Sequence, residues 1–396
     1  MRVTMFCALM AAATMAAGTQ APLHTVRDED RIEGSYIIVF QDHVDVNEAA
    51  EDMKNRLLSR FIPMGTIERQ YEYLLKGIAG SFSEEAIEVI RRLPQVKYVE
   101  ENQIRKIMQY TEPVASWGLD RIDDRNLTDC DGYYNPHFDG AGVHVYVIDT
   151  GVWTTHQDFE GRAEHGWDIV DNDDDATDCH GHGTHCAGTV AGKIYGVAKG
   201  ANIIAVRVLG CLGFGSSADV LAGMEWARVD SVGKTAIVSM SLGGGPSAAD
   251  DEAVRRLVED DVFVVVAAGN DGDDACLGSP ARAYEAMTVG ATDRFDNIAS
   301  FSNYGMCVNI FAPGVSITSA WYGSDDNENT ISGTSMSCPH VAGAAALIRQ
   351  ENPWEHAWDV FTTLQAFATE DCVMGLDDIP EPTVNSLLHV HKKFEV

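Results

Sequence analysis

The stretch VHVYVID (143–149) indicates the fold class, because it is an almost continuous apolar run that ends in a carboxylate. Three similar runs follow, NIIAVRVL (202–209), AIVSMSL (236–242) and VFVVVAAGN (262–270). Strands buried on both faces of a parallel sheet have this composition. Stretches with helical patterning lie between the runs, at 182–192, 217–230 and 249–260. The alternation predicts an α/β domain in which helices cover both faces of a parallel sheet.

Polar side chains stand at or near the carboxyl ends of three of these runs. They are Asp149, Ser241 and Asn270. Ligands of open α/β sheets bind at the carboxyl ends of the strands. We therefore expect the chemistry of this chain at that edge of the sheet.

The segment DCHGHGTHCAG (178–188) contains three histidines and two cysteines. On a helix, His182, His185 and Cys186 would share one face, since they are three and four residues apart. Metal sites have this spacing, and so do some catalytic histidines. The segment alone leaves both interpretations open.

A fourth element comes from SGTSMSCPHVAG (332–343), which sets Ser335 at the start of an apolar helix after a turn containing glycine. A nucleophilic serine needs a base to accept its proton and a carboxylate to orient that base. A helix N-terminus favours developing negative charge, and the amide of Asn270 could donate to an oxyanion. The chain order Asp149, His182, Asn270, Ser335 is far more specific than any one of these elements.

Together, these segments resemble those of the subtilisin-like serine peptidases, most closely the proteinase K and aqualysin branch. The resemblance covers nearly all of residues 110–396. It rests on the segments VIDTG, HGHGTHCAGTV, YGVAKGA, SMSLGGG, VVAAGN, SFSNYG and GTSMSCPHVAG. Residues 34–109 resemble, more loosely, the inhibitor-type propeptide of these enzymes. The fold implied is the subtilisin-like α/β fold, preceded by a small α/β propeptide domain.

The resemblance implies a role for each polar residue. Ser335 would be the nucleophile, His182 its general base, Asp149 the orienting carboxylate and Asn270 an oxyanion donor. His182 must then be free of tightly bound metal, which leaves the metal interpretation only for adventitious soft ions.

The resemblance also implies a substrate cleft for extended peptides. The walls of the pocket for the P1 residue would be Ser241, Leu242 and Gly243 on one side and Ala267, Ala268 and Gly269 on the other. The edge strand that pairs with substrate would be Gly213, Phe214 and Gly215. Pairing through the main chain gives affinity without strict sequence preference. No acidic residue occurs among the wall residues, so we expect broad specificity and no selection of basic residues.

The N-terminus has the pattern of a secretory signal peptide. One arginine precedes an apolar run from Val3 to Ala17, and small residues follow. We expect residues 1–20 to be removed and the product to be secreted. Residues 34–106 then read as a compact β-α-β-α-β module, and 107–116 as a linker. Counting back from Trp117 by the family spacing sets the mature N-terminus at Tyr110, with Gln109 as the P1 residue of the precursor.

Charge excludes one class of partner. The net charge is −32, and most of it lies after residue 109, where 15 Lys and Arg face 44 Asp and Glu. Such a surface repels phosphate backbones, so we expect no nucleic-acid binding. No segment is long enough to span a membrane. The expected partners are protein and peptide substrates and the chain's own propeptide as an intramolecular inhibitor, with a monomeric mature enzyme.

Nine cysteines suit an oxidising compartment, and Cys7 leaves with the signal peptide. The resemblance implies two disulfides, Cys179–Cys211 and Cys276–Cys307. Cys186 and Cys338 lie in helices beside the catalytic residues and are expected to be free. By elimination, Cys130 could pair with Cys372.

Calcium is the cofactor that the resemblance implies. WGLDRIDDRN (117–126) resembles a calcium loop of the aqualysin branch, with Asp120, Asp123 and Asp124 as oxygen ligands. Hard cations prefer such carboxylates. Asn126 begins a glycosylation sequon, which only a eukaryotic secretory pathway could use.

The sequence thus predicts a secreted, calcium-stabilised serine endopeptidase of broad specificity that processes its own precursor. Two alternatives remain. One is a binding protein that is locked by its own propeptide and has no activity on other substrates. The other is a metal-binding module rich in thiols.

Overall fold

The computed structural model describes residues 20–27, 30–107 and 116–391. Residues 1–19 of the expected signal peptide lie outside the described residues, as do Gln109 and Tyr110. The described chain forms an N-terminal module, residues 20–107, and a C-terminal domain, residues 116–391. None of the described helices is both long and apolar enough to cross a bilayer.

The N-terminal module is a four-stranded antiparallel sheet, extended by one short parallel strand and packed against two helices. Its elements are β1 (Leu23–His24), β2 (Arg31–Phe40), α1 (Val46–Leu58), β3 (Thr66–Tyr71), β4 (Gly77–Ser81), α2 (Glu84–Ile90) and β5 (Val96–Ile107). Asp45 and Ser83 cap the two helices by accepting from Glu48 N and Ala86 N. The predicted order lacked β3, a largely polar edge strand in which only Tyr71 is fully buried.

The C-terminal domain contains the predicted parallel sheet. Its strands are β6 (Val143–Asp149), β7 (Ala163–Asp168), β8 (Asn202–Arg207), β9 (Phe214–Ser216), β10 (Thr235–Met240), β11 (Leu242–Gly243), β12 (Phe263–Ala267), β13 (Met287–Thr292), β14 (Ile310–Pro313), β15 (Ile317–Ala320), β16 (Glu328–Ile331), β17 (Thr369–Glu370) and β18 (Ser386–Leu387). Nine of them form one sheet in the order β17-β18-β14-β13-β12-β10-β6-β8-β7, and only the β17–β18 pair is antiparallel.

Helices cover both faces of this sheet, as predicted. They are α3 (Gly118–Ile122), α4 (His182–Ala191), α5 (Ser217–Asp230), α6 (Ala248–Glu259), α7 (Thr334–Glu351) and α8 (Ala357–Phe367). Ser239 of β10 contacts Cys338 of α7 and pairs with Val147 of β6. The next residue of β6, Ile148, points to the opposite face, where it lies beside Gly223 of α5. The predicted fold class is confirmed.

Strand β5 connects the two parts of the molecule. Its last residues leave the module and run between β9 and β11 of the C-terminal domain. Arg105 pairs with Gly215, and Lys106 pairs with Gly243. The end of the N-terminal module therefore lies as an extended strand between two segments that the sequence assigned to the substrate cleft.

Carboxylate and amide caps add to this contact. Glu225 of α5 accepts hydrogen bonds from three successive backbone N–H groups of the module, those of residues 72–74, at 2.7–2.9 Å. In return, Glu100 accepts from Ala249 N at the start of α6, and Asn102 accepts from Ala218 N at the start of α5. Each contact provides an acceptor for backbone N–H groups that a helix start or a turn leaves unpaired. Docking therefore stabilises both the N-terminal module and the C-terminal domain.

The structure contains both disulfides that the resemblance implied, Cys179–Cys211 and Cys276–Cys307. The suggested Cys130–Cys372 pair is wrong, because both of these thiols are free. Cys372 Sγ donates to Thr369 O at 3.4 Å and lies 4.0 Å from a guanidinium nitrogen of Arg121. The pairing was inferred by elimination among the remaining cysteines, which takes no account of such local contacts.

Candidate active site

Asp149 and His182 meet at the carboxyl end of β6. His182 Nδ1 lies 2.7 Å from Asp149 Oδ1, and both side chains are fully buried. The same carboxylate oxygen accepts from Thr150 N at 2.7 Å, which holds it in place. Because a carboxylate can only accept, the imidazole proton belongs on Nδ1. His182 Nε2 then carries the lone pair, and it has no hydrogen-bond partner among the described residues.

Asp178 anchors the start of the helix that carries His182. Its Oδ1 accepts from Thr150 Oγ1 and from the backbone N–H groups of His180 and Gly181 at 2.8–2.9 Å. Its Oδ2 accepts from both the backbone N–H and the hydroxyl of Thr184. One buried carboxylate thus connects Thr150, the residue after Asp149, to the first turn of α4. These bonds fix Asp149 and His182 relative to each other.

The turn before His182 needs a glycine. Gly181 has a φ of +108°, a left-handed conformation that residues with a side chain rarely adopt. A Cβ at this position would also come within 2.4 Å of the Trp321 ring. The close packing lets the chain turn sharply into α4 and present His182 at its first position.

Ser335 is the second residue of α7 and is fully buried. Its hydroxyl donates to Ser241 O at 3.0 Å. Its carbonyl accepts from Ser241 Oγ at 2.9 Å and from Cys186 Sγ at 3.4 Å. The last contact joins α4 to α7 near His182, since Cys186 Sγ also lies 3.9 Å from His182 Nδ1. The Ser335 hydroxyl therefore does not donate to His182 Nε2 in this structure. Hydrogen bonds between nucleophile and base often form only with substrate bound.

Asn270 lies beside the start of the same helix. Its Oδ1 accepts from both Thr334 N and Thr334 Oγ1 at 2.9 Å. This fixes the amide so that Nδ2, which has no partner among the described residues, keeps both N–H groups for a ligand. The arrangement supplies a donor for an oxyanion next to Ser335.

The other histidines of the motifs are committed elsewhere. Burial lowers the pKa of His185 to about 3, and its Nε2 lies 3.0 Å from Ile317 O. Burial likewise lowers the pKa of His340 to about 4, and its Nδ1 lies 2.7 Å from Met336 O. Both are neutral core residues, as expected for His340. The third histidine of segment 178–188, His180, accepts from His182 N through its Nδ1 at 3.3 Å, so His182 is the candidate base of the segment.

A metal interpretation of His182 has limited support. Ligand atoms of Asp149, His182 and Cys186 all lie within 4.8 Å of one another. However, burial raises the pKa of the Cys186 thiol well above its usual range. The thiolate is the form that binds metal, and the imidazole nitrogen facing the carboxylate carries a proton. The geometry favours the catalytic interpretation.

The segments predicted to form the substrate cleft contain two short strands, both paired with β5. Strand β9 begins at Phe214, so Gly213 falls just before it, and β11 contains Leu242 and Gly243 directly after Ser241. A cavity of about 710 Å³ extends beside β11, and Gly243, Ala267, Ala268 and Gly269 line part of it.

Acidic residues border this cavity outside the wall segments, which themselves contain none. Asp271, Asp273 and Asp274 also line the cavity. They belong to the loop that follows Asn270, beyond the wall segments from which the expectation was drawn. A fourth carboxylate, Asp250, lies in the first turn of α6 and is fully buried against β5.

The predicted calcium ligands are only partly brought together. Carboxylate oxygens of Asp120 and Asp124 and the Cys130 thiol lie within 4.8 Å of one another. Asp123 is buried nearby, and its Oδ2 accepts from Asn135 N at 3.0 Å. The carboxylates suit a hard cation, whereas the thiol does not, and burial raises the pKa of Cys130.

Comparison with known proteins agrees with this geometry. The subtilase family model matches residues 140–374, and the peptidase inhibitor I9 model matches residues 35–108. The chain belongs to the subtilase family of serine peptidases. It is 46% identical to an extracellular serine proteinase of Thermus sp. (strain Rt41A), over 90% of each chain. It is 44% identical to an alkaline serine exoprotease A of Vibrio alginolyticus, over 84% of this subtilase and 63% of the Vibrio protein.

Two solved structures place this subtilase in the same fold. A cold adapted subtilisin-like serine proteinase superposes with a TM-score of 0.66 at 49% identity, covering 70% of this chain and 98% of that one. Fervidolysin from Fervidobacterium pennivorans superposes with a TM-score of 0.76 at 24% identity, covering 94% and 62%. The second match supports the fold alone.

Proposed function

We propose that this subtilase is a secreted serine endopeptidase, made as a zymogen, with Asp149, His182 and Ser335 as its catalytic triad. The observation that carries the proposal is the buried Asp149–His182 pair, which leaves His182 Nε2 without a partner among the described residues. The pair lies at the carboxyl edge of the sheet, as do Ser335 and the unpartnered amide nitrogen of Asn270. Secretion agrees with the signal-like N-terminus and with the extracellular relative from Thermus.

The geometry supports the following course of reaction. Ser335 Oγ attacks the scissile carbonyl while His182 Nε2 accepts its proton, and Asp149 stabilises the imidazolium. Asn270 Nδ2 and the N-terminus of α7 stabilise the developing oxyanion. His182 then protonates the leaving amine, and water hydrolyses the acyl-enzyme by the reverse sequence of proton transfers.

Zymogen behaviour follows from the docked strand. Because β5 occupies the cleft between β9 and β11, an external peptide cannot pair there until the N-terminal module leaves. We propose that Ser335 cuts its own chain near Gln109 and Tyr110, within two residues, and that the residues 34–109 remain bound as an inhibitor until they are degraded. The mature enzyme, from Tyr110 onward, would then bind peptides through the same main-chain pairing.

The direct test is N-terminal sequencing of the secreted product together with a casein assay. A mature N-terminus within two residues of Tyr110 and hydrolysis of casein would support the proposal. A product that stays bound to its module and never cleaves casein would instead support the propeptide-locked binding protein.

Asn270→Ala should lower kcat by roughly a hundredfold to a thousandfold, because it removes one oxyanion donor. Asn270→Asp should be at least as impaired, since a carboxylate oxygen can still accept from Thr334 but cannot donate to an oxyanion. Steady-state kinetics on a peptide substrate would measure both, with circular dichroism to verify folding. Full activity in either variant would remove Asn270 from the mechanism.

We further propose that Asp120, Asp123 and Asp124 lie at a structural calcium site. A ligand that binds only the folded state stabilises it by mass action, by about 2.7 kcal/mol at a hundred times Kd. EDTA should therefore lower the thermal midpoint by several degrees, and Asp124→Asn should remove much of that difference.

The control for this prediction is Asp174→Asn. Asp174 lies in the exposed segment 171–175, which contains four aspartates, so the variant makes the same charge change away from the site. It should keep the full EDTA effect in differential scanning calorimetry. An unchanged midpoint of the wild type after EDTA treatment would contradict a structural calcium site.

A further inference from the structure

An ion pair is completely enclosed between the docked strand and the cleft. Arg105 of β5 and Asp250 of α6 are both fully buried and form a salt bridge through Arg105 Nη2. Arg105 Nη1 also donates to Gly245 O at 2.7 Å and to Ser279 O at 3.1 Å. The guanidinium therefore fills a site built entirely from the C-terminal domain, with one carboxylate and two carbonyl groups.

The strand register locates this site relative to the nucleophile. Lys106 pairs with Gly243 and Ile107 with Leu242, in antiparallel register. The next position of such a strand faces Ser241, whose carbonyl accepts from Ser335 Oγ. A residue that faces Ser241 is therefore the P1 residue of a bound peptide. Arg105 lies three positions before it, so it occupies the P4 position. By this register the cut would follow residue 108, one bond before the expected Gln109–Tyr110 bond and within the margin of two residues.

The three acceptors of the site suit an arginine fork better than lysine or leucine, although Arg105 Nε and Asp250 Oδ1 have no hydrogen-bond partner among the described residues. Arginine presents several N–H groups in a planar fork, so it can bind Asp250 and two carbonyl groups together, whereas lysine offers one nitrogen. Leucine at P4 would leave Asp250 buried without a cation, and burial of an unpaired charge is costly. The backbone also approaches closely, because a Cβ on Gly244 would lie 2.7 Å from Arg105 Nη1.

The electrostatics of Asp250 agree with a site that needs a cation. Burial, opposed by Arg105 and reinforced by Glu100 and Asp251, raises the pKa of Asp250 to about 7. When the module leaves, Arg105 and Glu100 leave with it. A guanidinium that enters the vacated site restores the ionised form of Asp250.

We propose that Asp250 makes the P4 subsite of the mature enzyme selective for arginine. This inference rests on the proposed peptidase function and narrows the specificity of the enzyme. The cleft would accept many side chains at positions that bind only through the main chain, whereas P4 would select arginine. The module then docks with the side chain that the subsite prefers, since Arg105 precedes the P1 position by three residues.

Internally quenched peptides built on residues 105–110, RKIMQY, test the proposal with the mature enzyme. The P4 arginine is replaced by citrulline, lysine or leucine, and kcat/KM is measured for each peptide. Citrulline keeps the shape of arginine without its charge. Hydrogen bonds to a charged group are stronger than those to a neutral one, so kcat/KM for the arginine peptide should exceed that for the citrulline peptide by roughly tenfold to a hundredfold.

Two variants and a control connect this preference to the buried carboxylate. Asp250→Asn should bring the ratio of arginine to citrulline close to one. Asp250→Leu, which replaces the buried charge by an apolar side chain, should favour the leucine peptide and serves if the asparagine variant does not mature. Glu252→Gln is the control. The Glu252 carboxylate lies on the same helix but contacts Lys97 and Tyr98, so this variant should keep the wild-type ratio.

The outcomes separate the inference from the proposed function. If the wild type cleaves the arginine, citrulline and leucine peptides equally, Asp250 is only a docking contact for the module and the inference is overturned. An unchanged ratio in both Asp250 variants would overturn it as well. If the wild type cleaves none of the peptides and no casein, the peptidase function itself fails.

Discussion

Ser335→Ala is expected to lower proteolysis by roughly a millionfold and to leave the precursor uncut. The side chain that alanine removes is the proposed nucleophile. The neighbouring hydroxyls are engaged in other bonds, Thr334 Oγ1 with Asn270 Oδ1 and Ser241 Oγ with Ser335 O. Among the described residues, removal of the Oγ breaks one hydrogen bond, to Ser241 O. The fold should therefore persist.

Mass spectrometry of the secreted protein and a casein assay measure the two effects. Wild type should yield a fragment that ends within two residues of Gln109, and Ser335→Ala should yield the intact precursor. Ser337→Ala is the matched control, since its hydroxyl lies in the same helix and donates to Ala312 O instead. Processing of Ser335→Ala in the absence of another protease would contradict self-cleavage.

Asp149→Asn should lower kcat by about ten-thousandfold with little change of fold. The present carboxylate accepts from His182 Nδ1 and leaves Nε2 free to act as a base. An asparagine amide can donate to Nδ1, which favours the tautomer that carries its proton on Nε2. That tautomer cannot accept the proton of Ser335.

Peptide hydrolysis would measure this loss. Asp230→Asn makes the same substitution at a half-buried carboxylate that binds Tyr146 and Lys234 far from the cleft, and it should keep wild-type kcat. If Asp149→Asn stays within tenfold of wild type, His182 does not depend on this carboxylate for its tautomer.

Much of the fold could be predicted from the sequence because the signals are local. The apolar run 143–149 and its three counterparts are long enough to identify buried strands, and α4, α5 and α6 begin within one residue of the predicted positions. Strand β3 was missed because half of its side chains are exposed and only Tyr71 is buried, so it carries no apolar pattern.

The candidate site was predictable in its residues but not in its supporting contacts. The chain order of Asp149, His182 and Ser335 identifies them, yet nothing local shows that Asp178 makes five hydrogen bonds around the His182 turn. Arg105 and Asp250 are 145 residues apart in the chain, so their pairing depends on the docked strand.

The mistaken cysteine pairing has a similar cause. Cys130 and Cys372 were paired by elimination, whereas each thiol has its own local contacts. Conclusions about contacts between distant segments needed the folded chain.

Labelling with a fluorophosphonate probe, followed by peptide mass spectrometry, tests the proposed catalytic centre most directly. A fluorophosphonate reacts only with a serine whose hydroxyl is activated by a base, so the label reports the triad itself. The expected result is labelling of wild type at Ser335 once the N-terminal module is lost, and none in Ser335→Ala or in the intact precursor. Labelling at another serine, or an active preparation that stays unlabelled, would contradict the assignment.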